Sequence, residues 1–130
     1  MNMLQTLRGV VLALCLAPVA SAASTIVGNP NASIFVVDGS DVYVHSVKAY
    51  RCSSGSQTVG IDATLDQWDS VGFSLAQGNY CDMVIRVRWS PGQSIQPVSV
   101  TGFDVLSIQS SSTLEWAIEL DESSHTASLK

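Results

Sequence analysis

The fold is decided by residues 80–89, YCDMVIRVRW, in which apolar side chains recur at every second position. An extended chain would place Cys81, Met83, Ile85, Val87 and Trp89 on one face and Tyr80, Asp82, Val84, Arg86 and Arg88 on the other. Alternation with a period of two is typical of a β-strand that has one face in a core and the other toward water. This stretch therefore predicts a half-buried strand.

Similar short segments, rich in β-branched and aromatic residues, flank this strand on both sides. The strand candidates lie at residues 33–38, 41–52, 57–65, 95–100, 103–109 and 114–121, with a polar tail at 122–130 that is a last edge strand or a frayed end. Pro97 lacks a backbone donor and predicts a sheet edge for its segment. No long stretch has helical periodicity. The pattern predicts one antiparallel β-sandwich over residues 33–130, immunoglobulin-like or transthyretin-like in layout.

Residues 66–76 are the least regular part of this domain, and they fit either a short helical turn or a loop. Trp68 lies within them. Because this segment is irregular, Trp68 could be exposed as a platform on which a sugar ring can stack. The alternative, which we expect, is that Trp68 fills the core between the sheets. Trp89 and Trp116 fall on apolar faces and are predicted to be core residues.

The first 22 residues carry the features of a secretory signal peptide. Arg8 precedes an apolar run at residues 10–16, which is followed by Pro18 and by the small residues Ala20-Ser21-Ala22. The run is too short to span a membrane as a helix, and Leu14 before Cys15 does not match a lipidation site. We therefore expect residues 1–22 to be removed, residues 23–32 to form a flexible lead-in, and the protein to be exported to the periplasm or the medium without stable membrane insertion.

Export determines how the cysteines are interpreted. Cys15 leaves with the signal peptide, so that Cys52 and Cys81 remain as a pair in an oxidising compartment. Such a pair is most simply a disulfide. The alternatives, a thiolate metal site or a redox pair, lack neighbouring ligands and a C-x-x-C motif.

Composition and motifs exclude several function classes. The chain has 130 residues with 6 Lys or Arg against 11 Asp or Glu, a formal net charge of −5. So few cations argue against nucleic acid binding. The sequence contains no G-x-S-x-G, H-E-x-x-H, Walker or dinucleotide-binding motif. We therefore expect no enzyme activity and no cofactor.

Three sets of side chains are candidate ligand sites. His45, Met83 and His125 have suitable chemistry for copper, although their spacing does not favour a site. Aspartates near residues 38–41 and 62–69 could supply oxygens to calcium, but their spacing matches no known calcium loop. Arg86 and Arg88 could grip a carboxylate or sulfate; the alternative is that they solubilise the sheet and offset Glu115 and Glu119.

Residues 41–47 (DVYVHSV), Thr64-Leu65-Asp66, Gly78-Asn79-Tyr80 and Ile85-Arg86-Val87 together resemble a group of bacterial exported β-sandwich domains. Those domains have a V-x-V-x-x-V strand, then an A-G-x-Y turn and a strand that carries an Arg. Here the turn is one residue longer. The resemblance implies a β-sandwich and export, and it implies no activity. A related set of periplasmic proteins binds copper, but its ligands have no counterparts here.

Together these features predict an exported, non-catalytic domain that binds another protein, a surface polymer or its own kind. The alternative is a periplasmic carrier of a small ligand or of a metal such as copper or calcium.

Overall fold

The computed structural model describes residues 31–109 and 116–130 and shows an all-β protein. The predicted signal peptide, most of the lead-in and Glu115 lie outside the described residues. The strands are β1 (Ala32–Asp38), β2 (Val42–Arg51), β3 (Ser56–Leu65), β4 (Ser70–Phe73), β5 (Gly78–Arg88), β6 (Gln96–Thr101), β7 (Leu106–Ile108), β8 (Trp116–Asp121) and β9 (Thr126–Leu129). Within these ranges no helix is long and apolar enough to cross a membrane.

The strands form one sheet that curves back on itself. Its order is β3-β2-β5-β6-β9-β8-β1-β4, and β7 pairs with the start of β5. The two ends of this path, β3 and β4, lie beside each other, so the sheet is a nearly closed, barrel-like structure. The predicted all-β class is confirmed.

Two of the strand pairings are parallel, which departs from the antiparallel arrangement that the sequence predicted. β1 runs parallel to β8, with Ile34 opposite Ile118, and β6 runs parallel to β9, with Val100 opposite Ala127. Alternation of side chains is the same in both kinds of pair. The sequence pattern therefore predicts a strand and its buried face, but not the direction of its neighbour.

Neither of the predicted edge strands is an edge. β9 lies between β6 and β8, and β6 lies between β5 and β9. Pro97 is tolerated because its part of β6 has only one neighbouring strand. It lies opposite Arg86 of β5, whereas only Val100 and Thr101 of β6 pair with β9. The missing N–H therefore interrupts no bond to the second neighbour.

A bulge near the start of β5 reverses the predicted faces there. Tyr80 and Met83 are fully buried, and Cys81 and Asp82 between them are exposed. Asp82 lies opposite Tyr50, whereas Tyr80 lies opposite the next residue of β2, so Cys81 is an extra residue in the ladder. An extra residue changes the phase of the alternation. The prediction that Cys81 faces the core and Tyr80 faces water was therefore wrong, whereas the alternation from Met83 to Trp89 is confirmed.

One hydrophobic core lies inside the curved sheet, and nearly every strand contributes side chains to it. Its largest fully buried side chains are Tyr80, Phe73, Ile34, Leu65, Met83, Ile85, Ile118 and Leu120, together with the nearly buried Trp89. Asn31, at the end of the predicted lead-in, is also buried, and its amide bonds Leu75 twice, from Nδ2 to the carbonyl oxygen and from Oδ1 to the N–H. Asn31, one residue before β1, is therefore part of the packed domain.

Candidate functional site

The Trp68 turn (residues 66–69) joins β3 to β4 and is fixed by four hydrogen bonds. The Asp66 N–H donates to Asp69 Oδ2 (3.0 Å), and the Asp69 N–H donates to the Asp66 carbonyl (2.9 Å). On the side of β1, the Trp68 N–H donates to the Val36 carbonyl (2.6 Å) and the Val36 N–H donates to the Asp69 carbonyl (3.3 Å). The turn is therefore held both internally and against a strand of the sheet.

Two further bonds tie the Trp68 turn to its surroundings. Gln67 Nε2 donates to the carbonyl of Val37 (3.1 Å), and the Asp41 N–H donates to Asp66 Oδ1 (3.0 Å). The first bond fixes the turn to β1 and the second to the loop between β1 and β2. Since these contacts come from two directions, the turn has a defined orientation.

Trp68 is presented outward from this turn. Its side chain is 66% exposed, and its backbone has a φ of +68°, a conformation that bulky residues rarely adopt. The prediction that Trp68 fills the core was wrong, because Leu65 and Val71, on either side of the turn, supply the buried side chains there. A bulky residue persists at positive φ only where its surroundings enforce it, and the bonds above do so.

The surroundings of Trp68 are polar and acidic. Asp38, Asp41, Asp66 and Asp69 are all exposed at this end of the sheet, and within the described ranges none of them has a Lys or Arg within ion-pair distance. This end would repel an anionic ligand. It suits a neutral ligand that offers an apolar face to the indole and hydroxyl groups to the carboxylates.

The structure does not bring the proposed copper ligands together. Met83 is fully buried opposite Ala49, four residues along β2 from the exposed His45, which corresponds to about 13 Å of extended chain. His125 lies in the turn between β8 and β9. The described part of the chain contains no group of three or more His, Cys, Asp or Glu suited to a metal ion, and the aspartates considered for calcium form no such group.

His125 instead covers a buried tryptophan. Its ring lies parallel to that of Trp89, with centroids 5.0 Å apart and an interplanar angle of 7°. The turn that carries His125 is stabilised by Asp121. Asp121 Oδ1 accepts hydrogen bonds from the hydroxyl (2.7 Å) and the N–H (3.1 Å) of Ser123, and these bonds lower the pKa of Asp121.

The two predicted core tryptophans are confirmed. Trp89 is 2% exposed, and Trp116 is also buried.

Arg86 and Arg88 lie on the outer face of β5, as their alternation predicted. The Arg88 guanidinium lies 4.8 Å from the centre of the Tyr43 ring, across the strand pair from it. The Tyr43 hydroxyl donates to Asp62 Oδ1 (2.7 Å). That hydrogen bond, together with burial and the negative charge of Asp62, raises the pKa of Tyr43. Asp62, Tyr43 and Arg88 thus form a fixed row across three strands.

Sequence reasoning missed Tyr43 and Asp62 as members of this row. Asp62 has a φ of +51° at a bulge in β3, where the pairing with β2 changes register between Ala63 and Gly60. A bulge redirects side chains, and Asp is one of the residues that tolerate this conformation. The signal available in the sequence was an isolated Asp after glycine and isoleucine in an otherwise uncharged strand.

The acids expected to offset the two arginines do not do so in the described structure. Glu119 pairs with Lys130, with Oε1 and Nζ 3.6 Å apart, on the β8–β9 side of the sheet. Glu115 lies outside the described residues. The structure therefore does not support the alternative that Arg86 and Arg88 offset the charge of Glu119.

The predicted disulfide between Cys52 and Cys81 is present. It links the turn between β2 and β3 to the bulge in β5, and both cysteines are exposed. Beside it, Arg51 donates to the Gln77 carbonyl (3.2 Å) and lies over the Tyr80 ring at 5.1 Å. The link therefore reinforces a corner where the regular ladder is interrupted.

Comparisons with known proteins add little to this geometry. No protein-family model matches the chain, and no curated protein matches it. One solved structure, the NMR structure of a protein from Eubacterium rectale, is similar at 21% identity, over 82% of this chain and 93% of that chain, with a TM-score of 0.37. A likeness this low carries no argument about function.

Proposed function

We propose that the protein is an exported, non-catalytic domain that binds a neutral surface polysaccharide at the Trp68 turn. The observation that carries this proposal is the exposure of Trp68, which is 66% accessible on a turn held by hydrogen bonds from two directions. A fixed, exposed aromatic ring loses little conformational entropy when a ligand stacks on it. The turn thus has the rigidity that recognition needs.

The chemistry around Trp68 favours a saccharide over a protein partner. The other residues of the turn, Asp66, Gln67 and Asp69, are all polar. Protein hot spots lie among contacts that exclude water, whereas a sugar presents an apolar ring face and a rim of hydroxyl groups. An indole beside carboxylates and an amide matches that second pattern. The negative charge of this end further favours an uncharged polymer.

Export is supported by the predicted signal peptide at residues 1–22 and by the disulfide, which is stable outside the cytosol. We also propose that the curved sheet is a β-sandwich, in which β3-β2-β5 and β9-β8-β1-β4 are the two layers. Support comes from the single core, to which both sets of strands contribute buried side chains.

The direct test is affinity electrophoresis of the purified protein in gels that contain soluble neutral polysaccharides such as glucan, mannan and arabinoxylan. We expect retardation by at least one polymer, and a loss of affinity of about tenfold or more in Trp68→Ala because stacking and apolar burial are both removed. Val105→Ala is the control, since Val105 is another exposed apolar residue, in the segment between β6 and β7. Retention of binding by Trp68→Ala, or equal loss in both variants, would contradict the assignment.

The two buried tryptophans make a second readout possible. Trp89 and Trp116 are shielded, so acrylamide should quench mainly the emission of Trp68. A polysaccharide that stacks on Trp68 should protect this emission from quenching. Binding by gel retardation without any such protection would place the ligand elsewhere and would show that the protein binds the polymer at another site.

A further inference from the structure

We propose a second, separate binding surface on the outer face of β2 and β5, suited to an acidic polysaccharide that carries carboxylate or sulfate groups. The basic face is defined by Lys48, Arg86 and Arg88, together with the tyrosines Tyr43 and Tyr50. This inference does not depend on the Trp68 turn, because it rests on different side chains of opposite charge.

The strand register brings the three cations of the basic face together. Arg86 and Arg88 are two positions apart on β5 and therefore share a face, with about 6–7 Å between their backbone positions. Lys48 lies opposite Val84, which makes it a diagonal neighbour of Arg86 on the same face. Tyr43 lies opposite Arg88. The result is a compact group of positive charges on a chain whose formal net charge is −5.

These cations lack carboxylate partners in residues 31–109 and 116–130. Among those residues Lys130 pairs with Glu119, and His125 Nε2 lies 3.9 Å from Glu122 Oε2, both near the carboxyl end. Like charges this close to one another repel, and an opposite charge placed between them offsets that repulsion. An anionic ligand would supply the missing opposite charge.

The two acids nearest the basic face already have donors. Asp62 accepts the hydroxyl of Tyr43 (2.7 Å), and Asp82 accepts the N–H of Met83 (2.8 Å). Arg88 Nε is buried and has no hydrogen-bond partner. The buried Nε is out of reach of a ligand at the surface, so recognition would use the terminal nitrogens of the guanidinium, which the Tyr43 ring holds in place. Guanidinium groups pair with carboxylate and sulfate through two parallel bonds, which a fixed orientation favours.

A polymer fits this surface better than a single small anion. The cations and tyrosines are spread over two neighbouring strands, so one anion could contact only some of them. A chain of acidic sugars can place successive charges on Arg88, Arg86 and Lys48. Tyr50, which is 37% exposed with Lys48 Nζ 5.3 Å from its ring centre, adds an aromatic surface for a sugar ring.

The test compares binding of polygalacturonate, dextran sulfate and uncharged dextran by isothermal titration calorimetry. We expect the two charged polymers to bind with an affinity that falls as the salt rises from about 0.02 M to about 0.5 M, whereas any binding of dextran at the Trp68 turn should not depend on salt. Arg86→Gln, Arg88→Gln and Lys48→Gln should each weaken binding by about three- to tenfold. Circular dichroism and thermal melts establish that each variant is folded.

Lys130→Gln is the matched control, because it removes the same charge from a residue paired with Glu119 elsewhere. We expect its affinity to change by less than about twofold. An equal effect of Lys130→Gln and the three substitutions on the basic face would overturn the proposal in favour of net charge alone. So would wild-type protein that fails to bind at low salt, or single-stranded DNA that binds as tightly as the acidic polysaccharides.

The two proposals fail separately. Trp68→Ala should still bind the acidic polymers, and Arg86→Gln should still bind a neutral polymer at the Trp68 turn. Arg88→Lys gives an added readout, because it keeps the charge but loses the paired donors; it should recover only part of the affinity lost in Arg88→Gln. Full recovery would show that the planar guanidinium is not used and would contradict the paired-bond geometry.

Discussion

Trp68 and Trp89 are the same residue type in opposite roles. Trp89 is 2% exposed and is covered by the parallel ring of His125, whereas Trp68 is 66% exposed on a turn that supports it from below. In each case a residue at positive φ determines the geometry, Trp68 itself with +68° and His125 with +54°. One tight turn covers an indole and the other exposes one.

The difference shows that turns, and not strand alternation alone, decide where large side chains lie. Trp89 continues the alternation of β5, so the sequence predicts its burial. Trp68 lies between two strands, where no alternation applies. If Trp68 exposes its ring for recognition and Trp89 serves packing, then substitutions at the two positions should separate stability from binding.

The largest expected difference is in the free energy of unfolding. Trp89→Ala should lose about 3–5 kcal/mol because it leaves a cavity in the core, whereas Trp68→Ala should lose less than about 1 kcal/mol. Urea unfolding followed by circular dichroism measures both. Trp89→Phe is a useful control, because Trp89 Nε1 is buried without an acceptor and phenylalanine removes that donor. A similar loss at both tryptophans would mean that Trp68 has a structural role.

A smaller effect is expected when the support of the Trp68 turn is removed. Asp69→Ala deletes the acceptor of the Asp66 N–H and should cost about 1–2 kcal/mol, since bonds to charged groups are among the stronger ones. It should also weaken neutral-polymer binding, because Trp68 loses its fixed orientation. Asp104→Ala, which removes another exposed carboxylate, is the control. If Asp69→Ala bound like the wild type, the turn would not need this support for recognition.

The contribution of the His125 ring should be smaller again. His125→Asn keeps a residue that tolerates positive φ but removes the stack on Trp89, and we expect a loss of about 0.5–1 kcal/mol. Emission of Trp89 should shift to longer wavelength as water reaches the indole. His45→Gln, at an exposed strand histidine, should change stability by no more than about 0.5 kcal/mol. An unchanged emission in His125→Asn would show that the ring does not shield Trp89.

The smallest effect on stability is expected for Trp68→Gly. Glycine adopts a φ of +68° without strain, which offsets the greater freedom that it gives the unfolded chain. The free energy of unfolding should therefore stay the same or increase by up to about 1 kcal/mol, which would make the variant slightly more stable, while binding is lost. Thr64→Gly, at an exposed strand position of ordinary φ, should cost about 0.5–1 kcal/mol. Destabilisation of Trp68→Gly beyond that of Thr64→Gly would mean that the indole packs on the fold.

Much of the fold could be predicted from alternation and turn residues. The segments at 33–38, 41–52 and 57–65 correspond closely to β1, β2 and β3, and the Cys52–Cys81 disulfide follows from export and an even number of cysteines. The strand β4 was hidden in an irregular region because it has only four residues. Partners and directions were not predictable, because a strand pattern reports its buried face and not its neighbour.

The candidate sites were predictable only in part. Trp68, Arg86 and Arg88 could be singled out from the sequence, but the exposure of Trp68 depends on a backbone conformation that its residue type disfavours. The row formed by Asp62, Tyr43 and Arg88 depends on a bulge in β3. One extra residue in a ladder changes which side chains meet, and hydrophobicity alone does not reveal where that residue is inserted.

The parallel pairing of β1 with β8 has a consequence for biogenesis. A chain synthesised or translocated from its amino end must leave Ile34 without Ile118 until residues 116–121 have emerged. Until then one edge of β1 is open and able to associate with other chains. Completion of the native state is therefore expected to be late and slow, as it is for non-local strand pairing in general. A chaperone that holds the nascent chain would be most valuable in this interval, and truncation before Trp116 should yield an aggregating product.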